Sequence, residues 1–175
     1  MLLHLQQERC GIMKTAIVYY SMSGNTKAVA EKIAEKLGAE KIEIRPVKEY
    51  PSEDARKFIW GGMKAVMGEK PKLQPYDFSG GYDRIILGTP VWASNISPPI
   101  RSFICQNEEA LNAAKSIAAV ICYAGGGADK AIEKLKKLLD VESLEAELIL
   151  VDPKDKPSDE NEAKIEEFCN KLNKA

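Results

Sequence analysis

One segment constrains the fold of this chain more than any other: an apolar strand pattern that runs directly into a polar turn and an amphipathic helix pattern. Residues 15–20 form an almost continuous run of β-branched, aromatic and small apolar side chains, as in a central strand of a parallel sheet. Downstream, Val29, Ile33 and Leu37 repeat at helical spacing. The sequence therefore predicts a strand, a turn and a helix in that order.

The same alternation continues to the end of the chain. Further strand patterns, rich in isoleucine, leucine and valine, are predicted at residues 41–45, 84–88, 117–122 and 147–151. Helix patterns are predicted between and after them, over 52–67, from Ser97, around 132–139 and from Ser158 to Leu172. Five strand–helix units without internal repeats predict a three-layer α/β domain, a doubly wound parallel sheet with five strands and right-handed crossovers.

Composition and charge exclude several classes of function. The 175 residues suffice for one domain, and a net charge of −1 with mixed signs favours neither nucleic acid nor a membrane surface as partner. Four scattered cysteines without a C-x-x-C pair predict reduced thiols and a cytoplasmic location. Residues 1–12 contain the only histidine and lie outside the periodic pattern. We expect them to be a disordered arm or the product of an upstream start codon, and residues 13–175 to be the folded domain.

The turn at residues 21–26, Ser-Met-Ser-Gly-Asn-Thr, combines three hydroxyls, one amide side chain and one glycine without any charge. A helix N-terminus has unpaired N–H groups and positive partial charge, so this turn predicts a site for an anion such as a phosphate. The alternative is that Ser23, Asn25 or Thr26 only caps the helix. Neither G-x-G-x-x-G nor the P-loop pattern with its lysine is present in the turn.

Two further loops follow predicted strands and are rich in glycine, hydroxyl or aromatic residues, at 89–95 and 123–127. Ligands of doubly wound sheets bind outside the carboxyl ends of the strands, so the three loops should converge there. Trp92 could lie flat against a planar ring, and the glycines of the third loop would let the backbone reach the polar edge of that ring. The alternative for Trp92 is a core residue that anchors its loop. Phosphate and flat ring together predict a mononucleotide ligand.

The turn at 21–26 resembles the phosphate loop of the flavodoxin family, whose pattern is Ser or Thr, any residue, Ser or Thr, then Gly-Asn-Thr. Residues 89–92, Thr-Pro-Val-Trp, resemble the family's second loop, where an aromatic side chain commonly stacks on the flavin, and residues 124–127 resemble its third loop. The resemblance implies FMN as cofactor, the strand order 2-1-3-4-5, and no catalytic residue or metal. It also implies these cofactor-binding residues: Ser21, Met22, Ser23, Gly24, Asn25, Thr26, Thr89, Pro90, Val91, Trp92, Ala93, Tyr123, Ala124, Gly125, Gly126 and Gly127.

Two departures from electron-carrier flavodoxins bear on function. Those carriers are strongly acidic and place an aromatic residue in the third loop, whereas this chain is nearly neutral and has glycines there. One flavin face would therefore be open to a nicotinamide or a quinone.

Two functions follow from the resemblance. The first is electron transfer between redox protein partners through bound FMN, and the alternative is an NAD(P)H-dependent FMN quinone or flavin oxidoreductase. A receiver-type signalling domain, which has the same topology, needs acidic residues at the end of the first strand. This chain has Tyr19, Tyr20 and Ser21 at those positions, which argues against a receiver domain.

Overall fold

A computed structural model describes residues 13–50 and 68–174 of the chain. The strands are β1 (Thr15–Tyr19), β2 (Glu40–Glu43), β3 (Arg84–Trp92), β4 (Asn95–Ile96), β5 (Ser116–Tyr123) and β6 (Glu147–Val151). The helices are α1 (Asn25–Leu37), α2 (Pro98–Gln106), α3 (Glu108–Ala113), α4 (Ala128–Leu139) and α5 (Asp159–Lys174). The helix predicted at 52–67 and the arm at 1–12 lie outside the described residues.

Five strands form a parallel sheet in the order β2-β1-β3-β5-β6. The remaining strand, β4, pairs antiparallel with the end of β3. Leaving β4 aside, this is the predicted order 2-1-3-4-5, so the predicted doubly wound sheet is confirmed. The central position of β1 explains its continuous apolar run, because both faces of a central parallel strand are covered.

Helices cover both faces of the sheet, and the period of two along each strand separates two cores. On one face, α1 and α5 pack on Ile17, Ile86 and neighbouring side chains. On the other face, α2 and α4 pack on Ile85, Leu87 and their neighbours. The predicted apolar stripe of α5 is buried, with Ile165, Phe168, Cys169 and Leu172 all at most 4 % exposed.

The second loop differs from its prediction. We expected the strand to end at Gly88, but β3 continues to Trp92, because Thr89 and Pro90 remain in register with Ile121 and Cys122 of β5. Asn95 and Ile96 then fold back as β4 against the end of β3. Much of the predicted loop is therefore a hairpin, and its tip has only two residues. The short helix α3 was not predicted.

At the opposite end of the sheet, a buried ion pair joins the start of β3 to the segment before β6. Two nitrogens of the Arg84 guanidinium donate to the two carboxylate oxygens of Glu145, at 2.7 and 2.6 Å. The Arg84 side chain is only 4 % exposed and that of Glu145 only 14 %. Burial disfavours the charged carboxylate, but the hydrogen bonds from Arg84 outweigh this and lower the pKa of Glu145.

In the part of the chain that the structure describes, no helix is both long enough and apolar enough to cross a membrane. The same residues contain no group of three or more His, Cys, Asp or Glu side chains that could hold a metal ion.

Candidate functional site

Three loops meet at the carboxyl ends of adjacent strands, as the sequence predicts. We call residues 21–26 loop one, residues 89–97 loop two, which extends the predicted loop at 89–95 by two residues, and residues 124–127 loop three. They follow or end β1, β3 and β5, which lie side by side in the sheet. The N–H of Tyr20, just before loop one, donates to the carbonyl oxygen of Gly88 at 3.1 Å, which joins the strand ends that carry loops one and two.

Loop one ends in a helix N-terminus that no side chain caps. The N-cap of α1 is Gly24, which has a φ of +90° and makes no side-chain cap hydrogen bond. Ala28 donates the first helical hydrogen bond, to Gly24 at 3.0 Å, so residues 25–27 have no carbonyl partner within the helix for their N–H groups. The interpretation of the turn as a helix cap alone is therefore wrong. The geometry leaves several donors free for an anion.

The Ser21 side chain shapes the turn and Thr26 provides a free hydroxyl. Ser21 Oγ accepts the N–H of Gly24 at 3.1 Å and still carries its own proton for a ligand. Thr26 is 1 % exposed. Its Oγ1 makes no well-formed hydrogen bond among the described residues, although it lies close enough to the Cys122 thiol to oppose the rise that burial causes in the pKa of that thiol. An unpaired buried hydroxyl costs about 1–3 kcal/mol, which is unusual unless a further partner binds there. The donor set therefore fits a phosphate group.

Asn25 contributes to loop one differently from the prediction. Its side-chain oxygen accepts the backbone N–H of Lys154 at 2.8 Å, and its side-chain nitrogen donates to Asp155 Oδ2 at 2.7 Å and to Ser23 Oγ at 3.1 Å. The amide therefore holds the segment after β6 against the N-terminus of α1. A contact from Asn25 to a ligand would use its backbone N–H.

The same segment brings a lysine to loop one that the sequence did not indicate. Lys154 Nζ donates to the carbonyl oxygen of Ser23 at 3.2 Å. The two residues lie 131 positions apart, and no motif in the sequence links them. Loop one itself contains no basic residue. The positive charge of Lys154 is therefore supplied to this turn from the other end of the chain.

Loop two is held by a buried hydroxyl network. Thr89 is fully buried, and its Oγ1 accepts the N–H of Ser97 at 2.9 Å and lies 2.9 Å from Ser97 Oγ. A cofactor contact from Thr89 would therefore come from its backbone. The hairpin tip is formed by Ala93 and Ser94, both with positive φ, at +45° and +58°. Such two-residue turns favour Asn-Gly, so Ala93 and Ser94 hold the tip in a conformation that is costly for them.

Trp92 lies in an aromatic cluster. Its ring meets the Tyr50 ring edge-on at 4.9 Å and the Tyr20 ring edge-on at 5.9 Å. Trp92 is only partly buried, so these contacts support it as an anchor of loop two and still leave part of the indole accessible.

The two tyrosines of this cluster have raised pKa values. Burial, with smaller effects from Tyr50 and Glu49, raises the pKa of Tyr20, and burial raises the pKa of Tyr50 to about 12. Both phenols therefore stay protonated at neutral pH.

Loop three comes close to loop two where Gly127 lies beside Ser94. Gly127 has a φ of +84°, and a Cβ added there would lie 2.4 Å from Ser94 Oγ and 3.0 Å from Ser94 Cα. Only glycine fits at that position. Ala124, Gly125 and Gly126 are exposed, and a Cβ on either glycine would meet no described residue within 4 Å. Residues 13–50 and 68–174 therefore leave the surface of loop three uncovered next to loop two.

A pocket of about 200 Å³ lies beside loop one, on the side of β2. It is lined by the following residues: Tyr20, Ser21, Met22, Arg45, Pro46, Glu49 and Tyr50. Aromatic and charged side chains thus share its wall with the predicted residues Ser21 and Met22. Pro90, Val91 and Tyr123, also predicted, are half-buried at the ends of β3 and β5.

Solved structures of flavoproteins have the same fold. A flavoprotein from Lactobacillus acidophilus NCFM in complex with FMN is 21 % identical, covers 89 % of this chain and 98 % of its own, and has a TM-score of 0.64. A protein from Bacteroides eggerthii DSM 20697 is 19 % identical, covers 89 % of this chain and 98 % of its own, and has a TM-score of 0.71. An NADH:FMN oxidoreductase is 13 % identical, with coverages of 92 % and 89 % and a TM-score of 0.58.

The sequence also matches a family model described as Flavodoxin. The match extends over residues 14–149, which includes loops one, two and three. The chain therefore belongs to the flavodoxin family.

Proposed function

We propose that this protein is an electron carrier that holds FMN at the three loops and exchanges electrons with redox protein partners. FMN is the cofactor of its family, and the similar Lactobacillus acidophilus protein was solved in complex with FMN. The observation that carries the FMN part of the proposal is the uncapped N-terminus of α1 beside the unpartnered hydroxyl of Thr26. Together they supply donors for a phosphate at the point where the family binds one.

Each loop would have its own task. Loop one would hold the phosphate through backbone N–H groups and the hydroxyls of Ser21, Ser23 and Thr26. Trp92, anchored by Tyr20 and Tyr50, would pack against the flat ring, and the backbone of loop three would reach its polar edge. When bound, FMN supplies the redox chemistry, and the protein orients it and tunes its potentials through packing and hydrogen bonds.

The carrier function needs no acid or base from the protein. The only histidine of the chain is His4, which lies outside the described residues, and the phenols of Tyr20 and Tyr50 stay protonated at neutral pH. Cys105, Cys122 and Cys169 are free thiols, which supports a reducing, cytoplasmic location.

The second candidate is an NAD(P)H-dependent quinone or flavin oxidoreductase. The surface of loop three favours it, because Gly125 and Gly126 have no neighbour among the described residues where a covering side chain would lie. A nicotinamide or quinone could then approach an uncovered ring. The NADH:FMN oxidoreductase among the similar structures is consistent with this candidate.

Anaerobic spectroscopy separates the two candidates. The purified protein is reconstituted with FMN and desalted, and retained flavin absorbance is expected if the site binds FMN. We then expect NADPH or NADH alone to leave the absorbance unchanged, while dithionite or a separate reductase bleaches it. Direct bleaching by NADPH or NADH, with turnover of a quinone, would establish the oxidoreductase instead. Loss of all flavin on desalting, together with no binding in a titration, would refute both.

A further inference from the structure

The segment after β6, residues 152–158, lies against the N-terminus of α1 and is fixed there by one side chain. Asn25 accepts the N–H of Lys154 at 2.8 Å and donates to the carboxylate of Asp155 at 2.7 Å. A weaker contact, from the N–H of Asp155 to the same Asn25 oxygen, measures 3.4 Å. Backbone and side-chain bonds therefore set the position of Lys154 relative to loop one.

The ammonium group of Lys154 lies directly on the turn. Its Nζ is 3.2 Å from the carbonyl oxygen of Ser23, and a Cβ added to Gly24 would be 3.0 Å from the same Nζ. No carboxylate of the described residues lies within 4.0 Å of this Nζ, whereas Lys156 in the same segment pairs with Asp152 at 3.1 Å. Because an ammonium has three donors, two remain for another acceptor.

The exposed side chain of Lys154 places its ammonium group at the end of α1 that attracts anions. The N-terminus of a helix carries positive partial charge, so a nearby cation is repelled and a nearby anion is attracted. Here the N-terminus of α1 is uncapped, and the buried hydroxyl of Thr26 has no partner among the described residues. The Asp155 carboxylate bonds to Asn25 and lies beyond ion-pair distance of Lys154 Nζ. Lysine, helix N-terminus and unpaired hydroxyl therefore all favour one further anionic group.

We propose that Lys154 is the cation of the phosphate site and makes loop one select phosphorylated flavin over riboflavin. The inference rests on the proposed function, since it takes loop one as the place of the FMN phosphate. Its ammonium group would donate to a phosphate oxygen that the backbone of residues 25–27 also binds. Fixed by Asn25, Lys154 acts at the phosphate and makes no contact with the flavin ring.

The test compares two lysines of the same segment in the full chain. K154Q removes the proposed cation. K156Q is the control: it removes an equal charge from a lysine two residues further along, which forms a surface ion pair with Asp152. Dissociation constants for FMN and for riboflavin are measured by quenching of flavin fluorescence at low and high salt. For K154Q we expect FMN binding to weaken about 5- to 20-fold, in line with one charge-assisted hydrogen bond, and riboflavin binding to change less than about 2-fold. K156Q should leave both within about 2-fold.

Three further measurements would exclude a purely structural role. FMN binding by K154Q should depend less steeply on salt than that of the unmodified protein, and K154R should restore most of the affinity. Apo K154Q should be at least as stable as the unmodified protein in urea, because it removes a cation from a helix N-terminus.

Three results would overturn the proposal. Unchanged FMN affinity in K154Q would remove Lys154 from the site. An equal loss for FMN and riboflavin would mean that Lys154 only holds the loops together. An unmodified protein that binds riboflavin and FMN equally well would show that loop one does not hold a phosphate, while one that binds neither flavin would refute the proposed function itself.

Discussion

Replacing Gly127 with alanine should force loops two and three apart at the point where they touch. Gly127 has a left-handed φ of +84°, and the new Cβ would lie 2.4 Å from Ser94 Oγ and 3.0 Å from both Ser94 Cα and Cβ. The Ser94 hydroxyl can rotate away, but a distance of 3.0 Å to Ser94 Cα is tighter than nine in ten real Cβ contacts, so the hairpin tip or loop three must shift by a few tenths of an ångström. The substitution therefore combines backbone strain with steric overlap.

Backbone strain and steric overlap each contribute to the expected loss of stability. Left-handed backbone costs a residue with a Cβ about 1–2 kcal/mol, and overpacking at a close contact costs about 1–3 kcal/mol. We expect Gly127→Ala to lower the free energy of unfolding by about 2–4 kcal/mol, somewhat less if the exposed hairpin tip yields. Gly125→Ala is the matched control, since its Cβ would meet nothing within 4 Å and its φ is not positive. Its expected effect is within about 0.5 kcal/mol.

Urea unfolding of the apo protein, followed by circular dichroism, measures these changes. Ser94→Gly removes the overlapping Oγ and Cβ, and alone it should be nearly neutral, since relief of a φ of +58° is offset by the entropy of glycine. The double variant Ser94→Gly, Gly127→Ala should be more stable, by at least about 1 kcal/mol in free energy of unfolding, than the sum of the two single effects predicts. FMN and riboflavin binding should weaken together in Gly127→Ala, because the ring end of the site moves. Additive effects, or equal costs for Gly125→Ala and Gly127→Ala, would refute the contact.

Three further predictions concern other parts of the molecule. Thr26→Val should leave the apo stability nearly unchanged, because the hydroxyl it removes is unpaired, yet weaken FMN more than riboflavin by about 1–3 kcal/mol in calorimetric titrations; equal losses would contradict the phosphate assignment. Trp92→Ala should weaken both flavins by about 1–3 kcal/mol, and Trp92→Phe by less, whereas unchanged affinity would make Trp92 an anchor only. Glu145→Gln should cost about 3 kcal/mol at neutral pH by leaving the Arg84 guanidinium buried without its anion. Folding lowers the pKa of Glu145 below its ordinary value of 4.5. The stabilisation by its carboxylate is therefore complete above pH 4.5 and is lost as the pH falls through the folded pKa. The urea midpoint of Glu145→Gln should accordingly fall less on acidification than that of the unmodified protein.

Much of the fold could be predicted because the relevant signals are local. The apolar run at 15–20, the helical spacing after it and the four later strand patterns each reflect the faces that one element buries. The sheet order followed from the resemblance carried by residues 21–26, and the structure confirms it. The prediction was wrong about the end of β3, because pairing of Thr89 and Pro90 with β5 and of Trp92 with Asn95 overrides the loop-like composition.

The site was predictable in outline and not in detail. Loop one was identified because its residue types and its position between strand and helix suit a phosphate. The role of Asn25 and the burial of Thr89 could not be read from sequence, since both depend on partners in other elements. Which residues cover a flavin ring depends, for the same reason, on how distant loops pack.

The sequence by itself determined the alternation of strands and helices, the hydroxyl-rich turn and the glycines of loop three, because hydrophobic period and turn chemistry act over a few residues. The tertiary structure alone decided which of these groups meet. Strand order places β1 beside β3 and β3 beside β5, so that Gly127 comes to Ser94. It likewise brings Lys154 across 131 residues to Ser23, because α1 and α5 pack on the same face of the sheet.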